Sequence, residues 1–96
     1  MTTEFDSKQL LKLTFLGKVM KVQELFNLYP NLNINVRDPE GRTPLIMATL
    51  QENLTLICLF IVKGANVNAC DMYGKNALMY AQDYKFKGAI KFLTTL

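Results

Sequence analysis

The strongest constraint on this chain is that it repeats itself. Asp38-Pro39-Glu40-Gly41-Arg42-Thr43-Pro44-Leu45-Ile46-Met47-Ala48 returns thirty-three residues later as Asp71-Met72-Tyr73-Gly74-Lys75-Asn76-Ala77-Leu78-Met79-Tyr80-Ala81. The correspondence continues beyond these segments, with Leu56-Ile57 matching Ala89-Ile90 and Phe60 matching Leu93. A fixed period of this length makes each unit one supersecondary element, too small to bury its own apolar faces and covered by its neighbours instead.

Within a unit the residues order themselves by simple physics. Gly41 and Gly74 each close an Asp-x-x-Gly turn, where positive φ costs glycine nothing. Thr43 and Asn76 are suited to cap a helix start, and Pro44 fits the first helical position, where a missing donor is harmless. Leu45 with Ala48, and Leu78 with Ala81, share one helical face, so both pairs are expected in the core, the alanines being small enough for a second helix to approach. Leu56, Ile57, Phe60 and Ile61 form the apolar stripe of that second helix, and Gly64 is placed to end it with a left-handed cap. Ala65 to Asp71 then alternates apolar with polar residues, which predicts an extended arm leading to the next turn.

The first forty residues carry a weaker version of the same unit. Leu10, Leu13, Gly17, Val22, Leu25 and Phe26 reproduce the two-helix spacing. Asp6 with Gln9 predicts a capping box that opens the first helix near residue 7, and Tyr29-Pro30-Asn31 ends the second. Asn35 and Asp38 return to register as Asn68 and Asp71 do. The expected organisation is one domain over residues 1–96, with a degenerate first unit at about 6–37, a second at 38–70 and a third at 71–96.

These residues resemble the ankyrin repeat, above all Gly41-Arg42-Thr43-Pro44-Leu45 followed by Gly64-Ala65-Asn66-Val67-Asn68-Ala69 and Asp71. The resemblance implies an all-α solenoid of helix-turn-helix units joined by short β-hairpin loops. One departure stands out: the family usually carries histidine after Thr-Pro-Leu, where this chain has Ile46 and Met79, so the side-chain network between repeats is expected to be missing.

Composition narrows the chemistry. The chain contains no histidine, the commonest general base and metal ligand near neutral pH, so most triads and zinc sites are excluded. Cys58 and Cys70 are in neither a CxxC nor a metal-ligand spacing; both are read as reduced, Cys58 as buried filler and Cys70 as an unreactive arm residue beside Asp71. Asp38 and Asp71 hold equivalent places in the repeat and serve turns, not a catalytic pair. No catalytic, cofactor-binding or metal-binding residues are assigned. Eleven Lys and Arg against eight Asp and Glu give +3, but the bases are scattered, so nucleic acid is not the expected partner. The longest apolar run, Leu54 to Val62, is far short of the roughly 20 residues that span a bilayer. The acidic opening Met1-Thr2-Thr3-Glu4-Phe5-Asp6 is unlike a signal peptide, which implies a cytoplasmic protein.

What remains is surface. The resemblance implies a concave groove formed by hairpin tips and first helices. Its positions here are Phe15 and Leu16 in the first unit; Pro39, Glu40, Arg42, Leu50 and Gln51 in the second; and Met72, Tyr73, Lys75, Asp83 and Tyr84 in the third. Aromatics, Arg and Met are enriched at interface cores, and Tyr73 and Tyr84 have no evident structural duty. The expected activity is binding another protein that offers an acidic surface. With no second domain after Met1, the expected output is occupancy: an inhibitor of the immunity type, or a phage or viral blocker. A general adaptor is one alternative. Self-association into a weak homodimer through the end at Ala89, Ile90, Phe92 and Leu93 is the other; Lys85, Lys87 and Lys91 would oppose it and leave a monomer.

Overall fold

The computed structural model describes residues 4–95, with side chains from residue 7 onward. Six helices follow one another: α1 (Glu4–Phe15), α2 (Val19–Leu28), α3 (Pro44–Leu50), α4 (Leu54–Val62), α5 (Ala77–Asp83) and α6 (Lys87–Thr94). They form three helical hairpins, α1 on α2, α3 on α4 and α5 on α6. The first helices line up side by side, with α3 between α1 and α5, while α4 touches α6 in the outer row. The stack measures 36 × 25 × 22 Å.

Local chemistry starts and stops these helices where the sequence places its signals. Thr43 Oγ1 accepts the Ile46 N–H at 3.3 Å, and Asn76 Oδ1 accepts that of Met79 at 2.9 Å. Asn53 caps α4 in the same way, accepting from Leu56 N–H at 3.1 Å. At the other end of α4, Gly64 takes φ +92°, its N–H reaches Ile61 O, and Ala65 N–H reaches Phe60 O. That pair of bonds is a Schellman cap. The turn after α1 repeats it with Gly17, and those after α3 and α5 repeat it with Glu52 (φ 52°) and Lys85 (φ 58°), which accept the left-handed conformation without being glycine.

The core runs through the middle unit. Six of the seven residues of α3 are buried, Pro44 through Thr49. Leu10 and Val22 cover this helix pair from the first unit; Ala81, Ala89 and Leu93 cover it from the third. Leu45, Ile46, Leu56, Ile57 and Phe60 are almost wholly withdrawn from solvent, and each such side chain stabilises the fold by about 1.5–3 kcal/mol relative to exposure. Ala48 and Ala81 are fully buried where neighbouring helices approach closely, as their size implies.

Several expectations give way. The first helix begins by Glu4, so Asp6 lies inside it and not at its cap; the Asp6 side chain is outside the described residues. The segment after Gly64 is a turn and not an extended arm: Asn66 Oδ1 accepts the Asn68 N–H and Asn66 O accepts that of Ala69. Asparagine mimics a backbone turn in this way. No strand forms among the described residues, and each hairpin loop is closed by two backbone bonds: Asp38 N–H donates to Arg42 O and Gly41 N–H to Asp38 O, and Asp71 N–H donates to Lys75 O and Gly74 N–H to Asp71 O. Cys58 is exposed and not buried, because the inward face of α4 is taken by Leu56, Ile57 and Phe60. Leu78 is only half-buried: among the described residues the row of first helices has no member on the side of α5 away from α3.

Repeats without the family histidine are still linked. Arg37 Nη1 donates to both Gly41 O and Cys70 O, and Asn35 Oδ1 accepts the Asn66 N–H. Met72 N–H donates to Glu40 O, tying one tip to the next.

Candidate functional site

Each tip is organised by its aspartate. Asp38 Oδ1 accepts the N–H groups of Glu40 and Arg42 at 2.9 and 2.8 Å, and its Oδ2 accepts Arg42 Nε at 2.8 Å. Burial pushes the Asp38 carboxyl upward, but these bonds and the Arg42 charge outweigh it and hold the group below the usual range. Asp71 repeats the backbone pair with Tyr73 and Lys75. Its second oxygen, however, accepts Tyr80 Oη in place of a cation. Burial again opposes the carboxylate, and again the Tyr80 hydroxyl and the backbone donors prevail, lowering its pKa. The same contact, aided by burial, pushes the Tyr80 phenol up to about 12.

That substitution of a phenol for a guanidinium rearranges the last unit. Lys75, which stands where Arg42 stands one unit earlier, turns outward to Asp83, with Nζ 2.6 Å from Oδ2 and 5.4 Å from the centre of the Tyr80 ring. The Asp83 carboxylate raises the Lys75 pKa through this bond. Tyr80 stacks on Tyr84 at 6.5 Å, and Tyr84 on Phe86 at 5.6 Å, so an aromatic row runs along α5 to the start of α6.

A second cluster forms at the junction of the first two units. Phe15, Arg42, Met47, Leu50 and Gln51 line a hollow of about 110 Å³. Gln51 Nε2 donates to Thr14 O at 2.9 Å and Phe15 O at 2.8 Å, satisfying carbonyls at the end of α1. Phe15 is thereby anchored through its backbone while the residue remains 68% exposed.

The candidate residues thus fall into three groups. Phe15, Arg42, Leu50 and Gln51 surround the hollow; Lys75, Asp83 and Tyr84 border the aromatic row; Glu40, Met72 and Tyr73 stand on the tips, with Leu16 exposed beside Phe15 and Pro39 exposed beside Glu40. Met72, Tyr73 and Tyr84 are all more than half exposed. No ring contact joins Tyr73 to Tyr84 among the described residues, and Tyr84 has a packing role that its sequence position did not reveal. Gln51 and Arg42 also serve the frame, through α1 and Asp38. Sequence reasoning missed Tyr80, Met47 and Phe86. Tyr80 and Tyr84 are four apart on a helix, a spacing that brings rings together, so that pair was available as a signal; the reach of Tyr80 back to Asp71 was not.

Among the described residues no three metal-ligating side chains converge, and no helix is long and apolar enough to cross a membrane. The chain is 33% identical over 79 residues, 81% of its length, to the ankyrin repeat and SAM domain-containing protein 6 of Rattus norvegicus. It is 44% identical over 46 residues, 48% of its length, to the human transient receptor potential cation channel subfamily A member 1, and 35% identical over 65 residues, 68% of its length, to alpha-latrotoxin-Lt1a of Latrodectus tredecimguttatus. It spans only 9%, 4% and 5% of those proteins, respectively. The family model for ankyrin repeats, in three copies, matches residues 13–95. With the same turn between the helices of each hairpin, matching tips before the second and third, and the hairpins stacked side by side, the chain belongs to the ankyrin repeat family, whose units generally act by binding other proteins.

Proposed function

We propose that the protein acts by occupancy and not by catalysis: it covers a surface of a partner protein with its tips and first helices. The observation that carries this reading is the set of large exposed side chains, Phe15, Met72, Tyr73 and Tyr84, held on a hydrogen-bonded frame. Such anchors lose little freedom on binding because the backbone beneath them is already fixed. Glu40, Arg42, Leu50, Gln51, Lys75 and Asp83 supply the surrounding contacts; because Arg42 is paired with Asp38 and Glu40 and Lys75 with Asp83, this rim presents mixed charge, and the preference for an acidic partner expected from the sequence rests on those pairs opening on binding. A cytoplasmic inhibitor is the form of this function we favour over a general adaptor, since a preorganised surface suits blocking.

Affinity capture with mass spectrometry, followed by titration of the captured protein, tests the reading. The triple variant Phe15→Ala, Tyr73→Ala and Tyr84→Ala is expected to bind at least thirtyfold more weakly, about 2 kcal/mol at 1.4 kcal/mol per decade, while retaining its helical circular dichroism. Unchanged affinity would rule the concave surface out. A weak homodimer is the second reading; Ala89 and Leu93, where the sequence placed its contact, are buried against the second unit, and the apolar surface that favours it is instead Met79, 43% exposed on α5 next to half-buried Leu78. Light scattering at micromolar concentration gives a doubled mass if it forms.

A further inference from the structure

The outer row of helices has a surface of its own. Helix α4, Leu54–Val62, is apolar almost all round, although only Leu56, Ile57 and Phe60 are buried. A helix of that composition is normally enclosed on every side. Here Leu54 is 45% exposed and Val62 75%, and Cys58 is exposed between them, so residues four apart form an uncovered apolar stripe. With Thr55, Leu59, Gly88 and Phe92 they line a hollow of about 610 Å³ between α4 and α6. Gly88 sets its width: a Cβ there would come within 3.0 Å of Leu54 Cδ1, so a side chain at that place would intrude on the wall.

The two helices that wall this hollow carry charge of one sign. Neither α4 nor α6 contains an acidic residue. Lys87 and Lys91 stand exposed on α6, one turn apart, and no ion pair holds either among the described residues. A second copy of the chain would bring lysine against lysine, and a concave trough suits a cylinder better than a flat lipid surface. An apolar floor with a cationic edge is complementary to a helix carrying an apolar stripe flanked by carboxylates.

We propose that the trough between α4 and α6 is a second docking surface, separate from the tips, which takes an acidic amphipathic helix of a partner protein. Val62, Leu54 and Phe92 receive its apolar residues, and Lys87 and Lys91 pair with its carboxylates.

The probe is a fluorescein-labelled helical peptide with leucines at i, i+3, i+4 and i+7 and glutamates on both flanks, compared with a version in which every glutamate is lysine. Fluorescence anisotropy is expected to show the acidic peptide binding at least tenfold more tightly at low salt, with the preference shrinking as salt rises. Lys87→Glu with Lys91→Glu reverses the preference. Val62→Asp, an exposed change that leaves the core intact, abolishes binding. Bound acidic peptide slows alkylation of Cys58 in a Cys70→Ser background, which locates it in the trough. Phe15→Ala with Tyr73→Ala leaves all of this unchanged, so failure of the tip surface and failure of the trough are separable. Equal binding of the two peptides, indifference to Val62→Asp, or loss of binding only in the tip variant overturns the proposal. So does preferential binding to phosphatidylserine vesicles over the acidic peptide, or a dimer that disappears in Val62→Asp.

Discussion

The second and third units share a sequence pattern but live in different surroundings. Leu45, Ile46 and Met47 are buried; their counterparts Leu78, Met79 and Tyr80 are half-buried, exposed and half-buried. The second unit has neighbours on both sides, whereas the described residues place one on only one side of the third. A repeat position therefore specifies a direction in which a side chain points, and the adjoining unit decides whether that direction is interior. The tips differ as well: Asp38 is paired with a guanidinium and Asp71 with a phenol.

The widest expected gap is between the two leucines. Leu45→Ala should cost about 3 kcal/mol or more, as deletion of a fully enclosed leucine does, and Leu78→Ala about 1 kcal/mol, since much of its surface is already wet. Urea denaturation of both variants measures the gap. Equal losses would mean that the outer side of α5 is covered in solution and would break the comparison.

Next come the turn glycines, both at positive φ, +80° for Gly41 and +75° for Gly74. A Cβ on Gly41 would meet the Met72 backbone nitrogen at 3.0 Å, while one on Gly74 would meet nothing. Alanine pays the backbone cost of about 1 kcal/mol at both places, but at Gly41 it must also push the next tip away. Gly41→Ala should therefore cost about 2 kcal/mol and lengthen or break the Met72 to Glu40 bond, and thermal melts of the two variants should differ accordingly. If Gly74→Ala is the worse, something else packs on the last tip.

The smallest expected effect is a pH dependence that separates the two aspartates. Tyr80 keeps its proton in the fold up to about 12, against about 10 for an ordinary tyrosine. The folded chain thus holds a proton that the unfolded chain releases, so stability is complete below pH 10 and declines between 10 and 12. Both carboxyls are lowered, so their support is present above about pH 4 and disappears as acid protonates them. Denaturation profiles should show Tyr80→Phe flattening the alkaline decline and also shrinking the acid one, because Asp71 loses its phenol donor while the Asp38 part, held by Arg42, stays. An unaltered alkaline limb in that variant would remove the phenol from the account.

Much of this was legible in the chain. Thr43, Asn76, Pro44 and Gly64 announced helix ends because caps are local, decided by a side chain and the amides next to it. Cys58 misled because α4 is apolar on every face and periodicity then gives no inward direction. The burial of Leu78 depended on a neighbour, and the reach of Tyr80 to Asp71 on how a helix lies over its own tip, neither of which is a property of spacing. At the candidate surface the residue types were readable, but their grouping around a hollow and an aromatic row was not, since each group draws on segments brought together only by stacking.

The bond from Met72 N–H to Glu40 O has a consequence for how the array loosens. This amide is donated across a junction, so its exchange with deuterium reports the third unit lifting off the second, while amides within α5 report the unit itself unwinding. In a linear stack an outer member with one interface frays before an inner member with two, so Met72 should exchange ahead of the α3 amides. A partner that grips Glu40 and Tyr73 together would splint the two tips, and its arrival would be recorded as slower exchange at an amide it does not touch.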